Sequence, residues 1–159
     1  KSLEAPRELD FVALVKAALE SLASRAAQKR VELRLIGPDS CALSGDPFLL
    51  SRAVLNLVEN ALDFSPPGGA VEARIQRSES GVELQILDEG PGIPDYALPR
   101  AFERFFSLPR PENAARGVGL GLAFVRETAL LHHGAARLEN RPGGGAVALL
   151  RLGFTPTSH

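Results

Sequence analysis

A chain of 159 residues, 45% hydrophobic and 23% charged, has the length and composition of one globular domain, not of a disordered or collagenous segment. A formal net charge of -1 supplies no long-range attraction for nucleic acid or an anionic membrane surface. The single cysteine, Cys41, excludes an internal disulfide and suits a reducing compartment, and no apolar run approaches the roughly 20 residues of a membrane span. The chain opens at Lys1 with no methionine, as expected of a soluble piece of something longer.

In chain order, Phe11, Leu14, Val15, Ala18, Leu22 and Ala26 recur at helical spacing and predict one helix from Leu9 to about Lys29, after a linker over residues 1–8. Val31, Leu33 and Leu35 alternate with polar residues, so a strand is expected up to Gly37-Pro38, with a second short strand at Cys41 to Leu43. From Asp46 to Pro66 the signals are those of a helix: Asp46 can cap it, Pro47 suits its first turn, and Ser65-Pro66-Pro67-Gly68-Gly69 must end it. Leu50, Val54, Leu57, Val58 and Ala61 fall on one side and predict its core face. Val71, Ala73 and Ile75, then Val82, Leu84 and Ile86, predict an antiparallel hairpin with one buried face. Residues 89–119 are rich in glycine and proline around a patch of Phe102, Phe105 and Phe106, with a mobile loop expected from Ser107 to Arg116. A helix from Leu120 to Leu131 and a closing hairpin, Ala135 to Glu139 with Ala146 to Leu152, complete a domain over residues 9–154, before a frayed tail. The order predicts an α/β two-layer sandwich: a mixed, mostly antiparallel sheet covered on one face by about three helices.

The helix from Asp46 carries the most unusual polar face in the chain. At 100° per residue Asn56, Asn60 and Asp63 span only about 60°, so they share a direction, with Glu59 beside them. Asparagine forms helix poorly, and its repetition at i and i+4 needs a reason beyond solvation. A neutral amide oxygen suits a hard cation such as Mg2+ that brings its own phosphate ligands. Asp88 continues the alternation of Val82, Leu84 and Ile86, which puts a carboxylate at the edge of the core, where it needs a donor. An exocyclic amino group of adenine would serve, and a turn-capping role would serve too. Gly90 and Gly92 flank Pro91 and precede Ile93, giving a turn that a planar ligand can approach closely. Gly117-Val118-Gly119-Leu120-Gly121-Leu122 leads straight into a helix, and amides exposed by such a turn bind phosphate. No Gly-Lys-Ser/Thr occurs, which excludes a P-loop.

Taken together, an Asn-rich helix, an Asp-x-Gly-x-Gly-Ile turn, a Phe-rich patch, a loop and a Gly-x-Gly-x-Gly helix start resemble the ATP-binding domain shared by histidine kinases, gyrase, Hsp90 and MutL, the Bergerat fold, over residues 9–152. Phe102-Glu103-Arg104-Phe105-Phe106 with a short lid is similar to the histidine-kinase version, and residues 92–98 and 102–110 look most like the CreC sensor kinases. The resemblance implies that Asn60 ligates Mg2+, that Asn56 lies near the ATP phosphates, and that Asp88 binds the adenine amino group with Gly90, Gly92, Ile93 and Phe102 around the base. It implies further that Gly117, Gly119 and Gly121, with Val118, Leu120 and Leu122, close over the phosphates, where Asp63 and Arg116 also belong.

Hydrolysing relatives carry a glutamate where this chain has Asn56, and an amide is no base, so the resemblance favours transfer to a protein histidine over free hydrolysis. Glu59 remains open between a polarising base and a solvated carboxylate. His132 and His133 are expected in the last turn of a helix, facing its carbonyl end, and His159 is terminal, so the acceptor histidine is expected outside this chain. The implied partners are a response regulator and a dimerisation domain, with the chain a cytoplasmic part of a homodimeric inner-membrane kinase. Many histidine kinases have a basic residue where this chain has Asp63 and an arginine where it has Ser107; Arg104, Arg110 and Arg116 are the nearest replacements. That loss of charge motivates the alternative of a nucleotide-binding module that gates a phosphatase or an interface without catalysis. A third possibility, a clamp-type ATPase fragment, is disfavoured by Asn56 and the short lid.

Overall fold

The computed structural model describes Leu3 and residues 6–106 and 121–154. The elements are β1 (Arg7–Asp10), α1 (Phe11–Ser21), α2 (Ala23–Lys29), β2 (Glu32–Ile36), β3 (Ala42–Gly45), α3 (Pro47–Phe64), β4 (Ala70–Arg77), β5 (Gly81–Leu87), α4 (Gly121–Leu131), β6 (Ala135–Asn140) and β7 (Ala146–Gly153), with a 3-10 turn at Leu98–Arg100. Five strands form one sheet in the order β2-β4-β5-β7-β6, parallel only at β2–β4. The separate pair β1–β3 is antiparallel.

The register explains the two layers. Leu33, Val71, Ala73, Ile75, Val82, Leu84, Ile86, Ala148, Leu150 and Leu152 align across four strands on one face. There they join Phe11, Val15, Leu50, Val54, Leu57, Val58 and Val125 of the helices in a single core. The opposite face carries Glu32, Arg34, Glu72, Arg74, Glu83, Arg137 and Arg151, as strand alternation requires when one face is dry. The expected core face of α3 is the buried one, and Asp46 caps it by accepting from the Phe48 and Leu49 amides at 2.9 and 3.1 Å. Among the described residues no helix is long and apolar enough to cross a membrane.

Two elements differ from expectation. The single helix from Leu9 to Lys29 is two helices, which makes four among the described residues. Ser21 Oγ donates back to the Ala18 carbonyl and the Leu22 amide to that of Leu19, a tightened turn that stops α1 before α2 restarts. Arg7 and Glu8, expected in the leading linker, instead begin β1, and Asp10 starts α1 by accepting from the Val12 amide. The same Asp10 oxygen accepts from the Cys41 amide, so one carboxylate caps a helix and secures the approach to β3.

Behind the sheet, α4 is joined to the start of α3. His132 is 2% exposed; its Nδ1 lies 2.7 Å from the Thr128 carbonyl oxygen and its Nε2 accepts the Asp46 amide at 3.0 Å. Both contacts are satisfied only by the neutral imidazole protonated at Nδ1. Burial accordingly holds this histidine below its ordinary pKa, with the Thr128 carbonyl and Asp46 opposing and His133 adding to the shift. The expected contact with the helix's last carbonyls is thus made by His132 at Thr128, through a buried ring. A Cβ at Gly45 would lie 2.8 Å from this ring, so glycine there makes room for it.

Candidate functional site

At the end of the sheet where β5 and β6 finish and β7 begins, the chain builds a turn around one carboxylate. Asp88 is 5% exposed and follows β5 directly. Its Oδ1 accepts from the Gly90 amide at 2.9 Å and the Ala146 amide at 3.2 Å. Among the described residues Oδ2 takes no hydrogen bond. Burial pushes the carboxyl above its ordinary pKa, while the two amides and Arg141 act in the opposite sense. A carboxylate fixed through one oxygen, with the other left to accept, is suited to a neutral N–H donor such as an amino group on a heterocycle.

Glycine is required around it. A Cβ at Gly90 would sit 2.5 Å from the Phe64 carbonyl oxygen, and one at Gly145 would sit 2.1 Å from that of Asp88. Beside this turn lies a second apolar cluster: Phe64, Ile93, Ala97, Ala101 and Ala146 are buried, with Phe102, Phe106 and Leu122 half-buried against them. The expected neighbours Gly90, Gly92, Ile93, Phe102 and Leu122 are thus gathered with Asp88 into one region.

Three supporting residues carried no local signal. Asn140 at the end of β6 accepts the Ile93 amide through Oδ1 at 2.7 Å and donates to the Ile93 carbonyl through Nδ2 at 2.8 Å. Arg141 donates to the Asp88 carbonyl at 2.7 Å. Glu89 accepts the Ala70 amide at 2.6 Å, tying the turn to the start of β4. Only the glycine-rich hairpin that follows Arg141 could have hinted at them.

The polar face of α3 is divided. Asn56 Nδ2 donates to the Gly121 carbonyl at 3.1 Å, so the first asparagine meets the final glycine of the second box. Asn60 is 8% exposed. Glu59 and Asp63 both accept from Arg25 of α2, at 3.1 and 2.8 Å, and Lys29 donates to the Asp63 carbonyl at 2.9 Å. Asn56 thus meets α4, while Glu59 and Asp63 meet α2. Arg104 lies 3.6 Å from Glu127 of α4. Ser107, Arg110, Arg116, Gly117, Val118, Gly119 and Leu120 lie outside the described residues.

A mixed five-stranded sheet under a helical layer, with this Asp88 turn beside an Asn-bearing helix, is the architecture of an ATPase domain. The family model described as histidine kinase-, DNA gyrase B- and HSP90-like ATPase matches residues 45–156, and the chain belongs to that family. The sensor protein CreC of Escherichia coli (strain K12) is 42% identical over 91% of this chain and 30% of its own length. The solved structure of the mycobacterial sensor histidine kinase MprB has a TM-score of 0.82 at 34% identity, covering 96% of this chain and 100% of that one. Full-length ShkA in complex with AMPPNP has a TM-score of 0.82 at 25% identity, covering all of this chain and 33% of that one. The chain thus spans about a third or less of the length of CreC and of the curated MprB sequence from Mycobacterium sp. (strain KMS).

Proposed function

We propose that this chain is the Mg-ATP-binding catalytic domain of a two-component sensor histidine kinase, which passes the γ-phosphate of ATP to a histidine on a separate dimerisation helix for relay to a response regulator. The observation that carries it is Asp88: a buried carboxylate, fixed by the Gly90 and Ala146 amides through one oxygen, on a turn next to the apolar cluster of Phe64, Ile93, Ala97, Ala101 and Ala146. Adenine supplies a ring for that apolar region and an amino group for the acid. The name of MprB, a sensor histidine kinase, supports the kinase assignment, that of CreC the sensor role, and the nucleotide analogue bound by ShkA the ligand. By the same reasoning the parent is a homodimeric inner-membrane sensor with this domain on its cytoplasmic side.

The donor set fits Mg2+ held jointly by protein and nucleotide. Among the described residues no group of three carboxylate, histidine or cysteine side chains could form a cage, whereas Asn60 offers a neutral oxygen on the helix beside the glycine box. Mg2+ at nucleotide sites usually takes one or two protein ligands and fills its octahedron with phosphate oxygens and water, neutralising charge on the phosphates. What the chain itself contributes is positioning. Asp88, Gly90, Gly92, Ile93 and Phe102 seat the base, Asn60 orients the metal, and Asn56 with Gly121 and Leu122 lines the phosphate end. Phosphoryl transfer asks for little more than such placement and charge stabilisation. Glu59 can polarise an incoming imidazole only after leaving Arg25. The same guanidinium offsets the negative charge that Asp63 introduces, which favours a competent site over the degenerate nucleotide-binding module.

The test is the affinity for ADP with and without Mg2+. Wild type should bind and gain from the metal, Asn60→Ala should lose only that gain, and Asp88→Asn should bind on the order of tenfold to a hundredfold more weakly in either condition. A folded wild type that binds no ADP would overturn the proposal. Phosphotransfer is then read in the parent protein as labelled phosphohistidine, whose absence despite nucleotide binding would leave the degenerate module instead.

A further inference from the structure

The main sheet ends on two edge strands, β2 and β6, and they are guarded differently. At the β2 edge the Glu32 amide donates to the Gly69 carbonyl, so alternation turns Glu32, Arg34 and Ile36 toward β4 and leaves only Leu33 and Leu35 facing outward. The outward amide before them, that of Val31, is already bonded to the Ala26 carbonyl, and Gly37-Pro38 stops the strand. The β6 edge has no such protection. The Arg141 amide donates to the Gly145 carbonyl, so Ala135, Arg137 and Glu139 bond to β7, and the backbone groups of Ala136, Leu138 and Asn140 face away from the sheet. Among the described residues those groups take no hydrogen bond, and Ala135–Asn140 contains neither proline nor glycine. Such an open edge is a template for another strand.

The side chains define which strand fits. Arg137 and Glu139, with side chains 68% and 48% exposed, flank Leu138 on the outer face. If a second β6 lies antiparallel with Leu138 opposite Leu138, Ala136 of each copy meets Asn140 of the other, and every outward residue finds a hydrogen-bonding partner. Between those pairs Arg137 of each copy stands directly opposite Glu139 of the other, in the positions where cross-strand Cα atoms approach to about 4.5 Å. A shift by two residues sets Arg137 against Arg137 or Glu139 against Glu139. A shift by one sets the charged face of one copy against the apolar face of the other. The edge is therefore self-complementary in a single register. On the inner face Leu138, half-buried and packed against both apolar clusters, gains the same residue of the second copy.

We propose that β6 pairs antiparallel with β6 of a second copy of this chain, about Leu138, joining the two main sheets into one. One strand on each side falls short of the roughly 800 Å2 per partner of a standard interface, so the association is weak and reversible. Asn140, whose side chain holds the Ile93 backbone, closes the paired segment, so this contact and the Asp88 turn share a residue. The experiment is NMR-detected amide hydrogen exchange on the chain from about 20 μM to about 1 mM, with sedimentation equilibrium over the same range. A concentration-dependent dimer is expected, in which the Ala136, Leu138 and Asn140 amides become at least about tenfold more protected while those of Arg137 and Glu139, already bonded to β7, do not change. Glu139→Arg and Arg137→Glu, both at exposed positions, should each remain monomeric because like charges then face each other. An equimolar mixture of the two variants should associate, since every facing pair is again of opposite sign. A wild type that stays monomeric throughout, a dimer whose protection lies elsewhere or does not alternate along β6, a single variant that associates as wild type does, or a mixture that stays monomeric would each overturn the proposal.

Discussion

Helices α3 and α4 meet along one seam whose two ends are held in different ways. At the Asp46 end, His132 is enclosed and both ring nitrogens are engaged, one with Thr128 and one with the helix-capping residue. At the Asn56 end, a half-buried amide makes a single contact with the Gly121 carbonyl. A buried, doubly bonded imidazole has no alternative partners, whereas a surface amide can exchange a carbonyl for water or for a ligand at little cost. Firmness is thus concentrated at the end away from the proposed nucleotide site, and the end proposed to meet the phosphates retains freedom to rearrange. Functional loops are generally drawn from such low-stability parts of a fold.

The largest expected effect tests the firm end. His132→Ala removes a buried ring and leaves the Asp46 amide unpaired, and should lower unfolding free energy by about 3 kcal/mol in urea denaturation. Its folded fraction should still bind ADP normally; impaired ADP binding with stability unchanged would reverse the comparison. Acid should act on the same residue. The folded-state pKa of His132 is below its unfolded value of 6.5, so its contribution is complete above that pH. As pH falls below 6.5 the unfolded chain takes up the proton first and stability declines, by at most about 1.4 kcal/mol per pH unit, until the folded-state pKa is passed. A His132→Asn variant should show a flatter profile between pH 7 and 5 by the same denaturation assay.

Smaller effects concern the nucleotide side. Asn140→Ala frees the Ile93 backbone without opening the core, since Asn140 is exposed, and should weaken ADP binding by roughly fivefold in calorimetry while costing little stability. Asn56→Ala should change unfolding free energy by less than about 1 kcal/mol, the least of the four, because one half-buried contact is lost and water can replace it. A loss comparable to that of His132→Ala would show that both ends of the seam are equally firm.

How much of this was legible in the chain depended on how local the cause was. Asp46, Pro47, the apolar spacing of α3 and the proline stop all lie within that helix, and its ends and core face follow from them. Asp88 was legible because strand alternation carried on for one more residue. The partners that hold the site were not: Ala146 is 58 residues from Asp88, Asn140 is 47 from Ile93, and Asp46 is 86 from His132. Strand β1 was missed because three of its four residues are charged and it pairs outside the main sheet, with β3. The division of the α3 polar face was hidden for a related reason, since Arg25, which draws Glu59 and Asp63 together, lies beyond the turn that separates α1 from α2.

The contact between Gly45 and His132 also has an evolutionary consequence. A side chain at position 45 and an imidazole at position 132 compete for the same space, so neither position can change alone without penalty. Across descendants of this domain the two should be inherited as a couple: lineages that keep the histidine keep the glycine, and those that admit alanine or serine at 45 carry a smaller residue at 132.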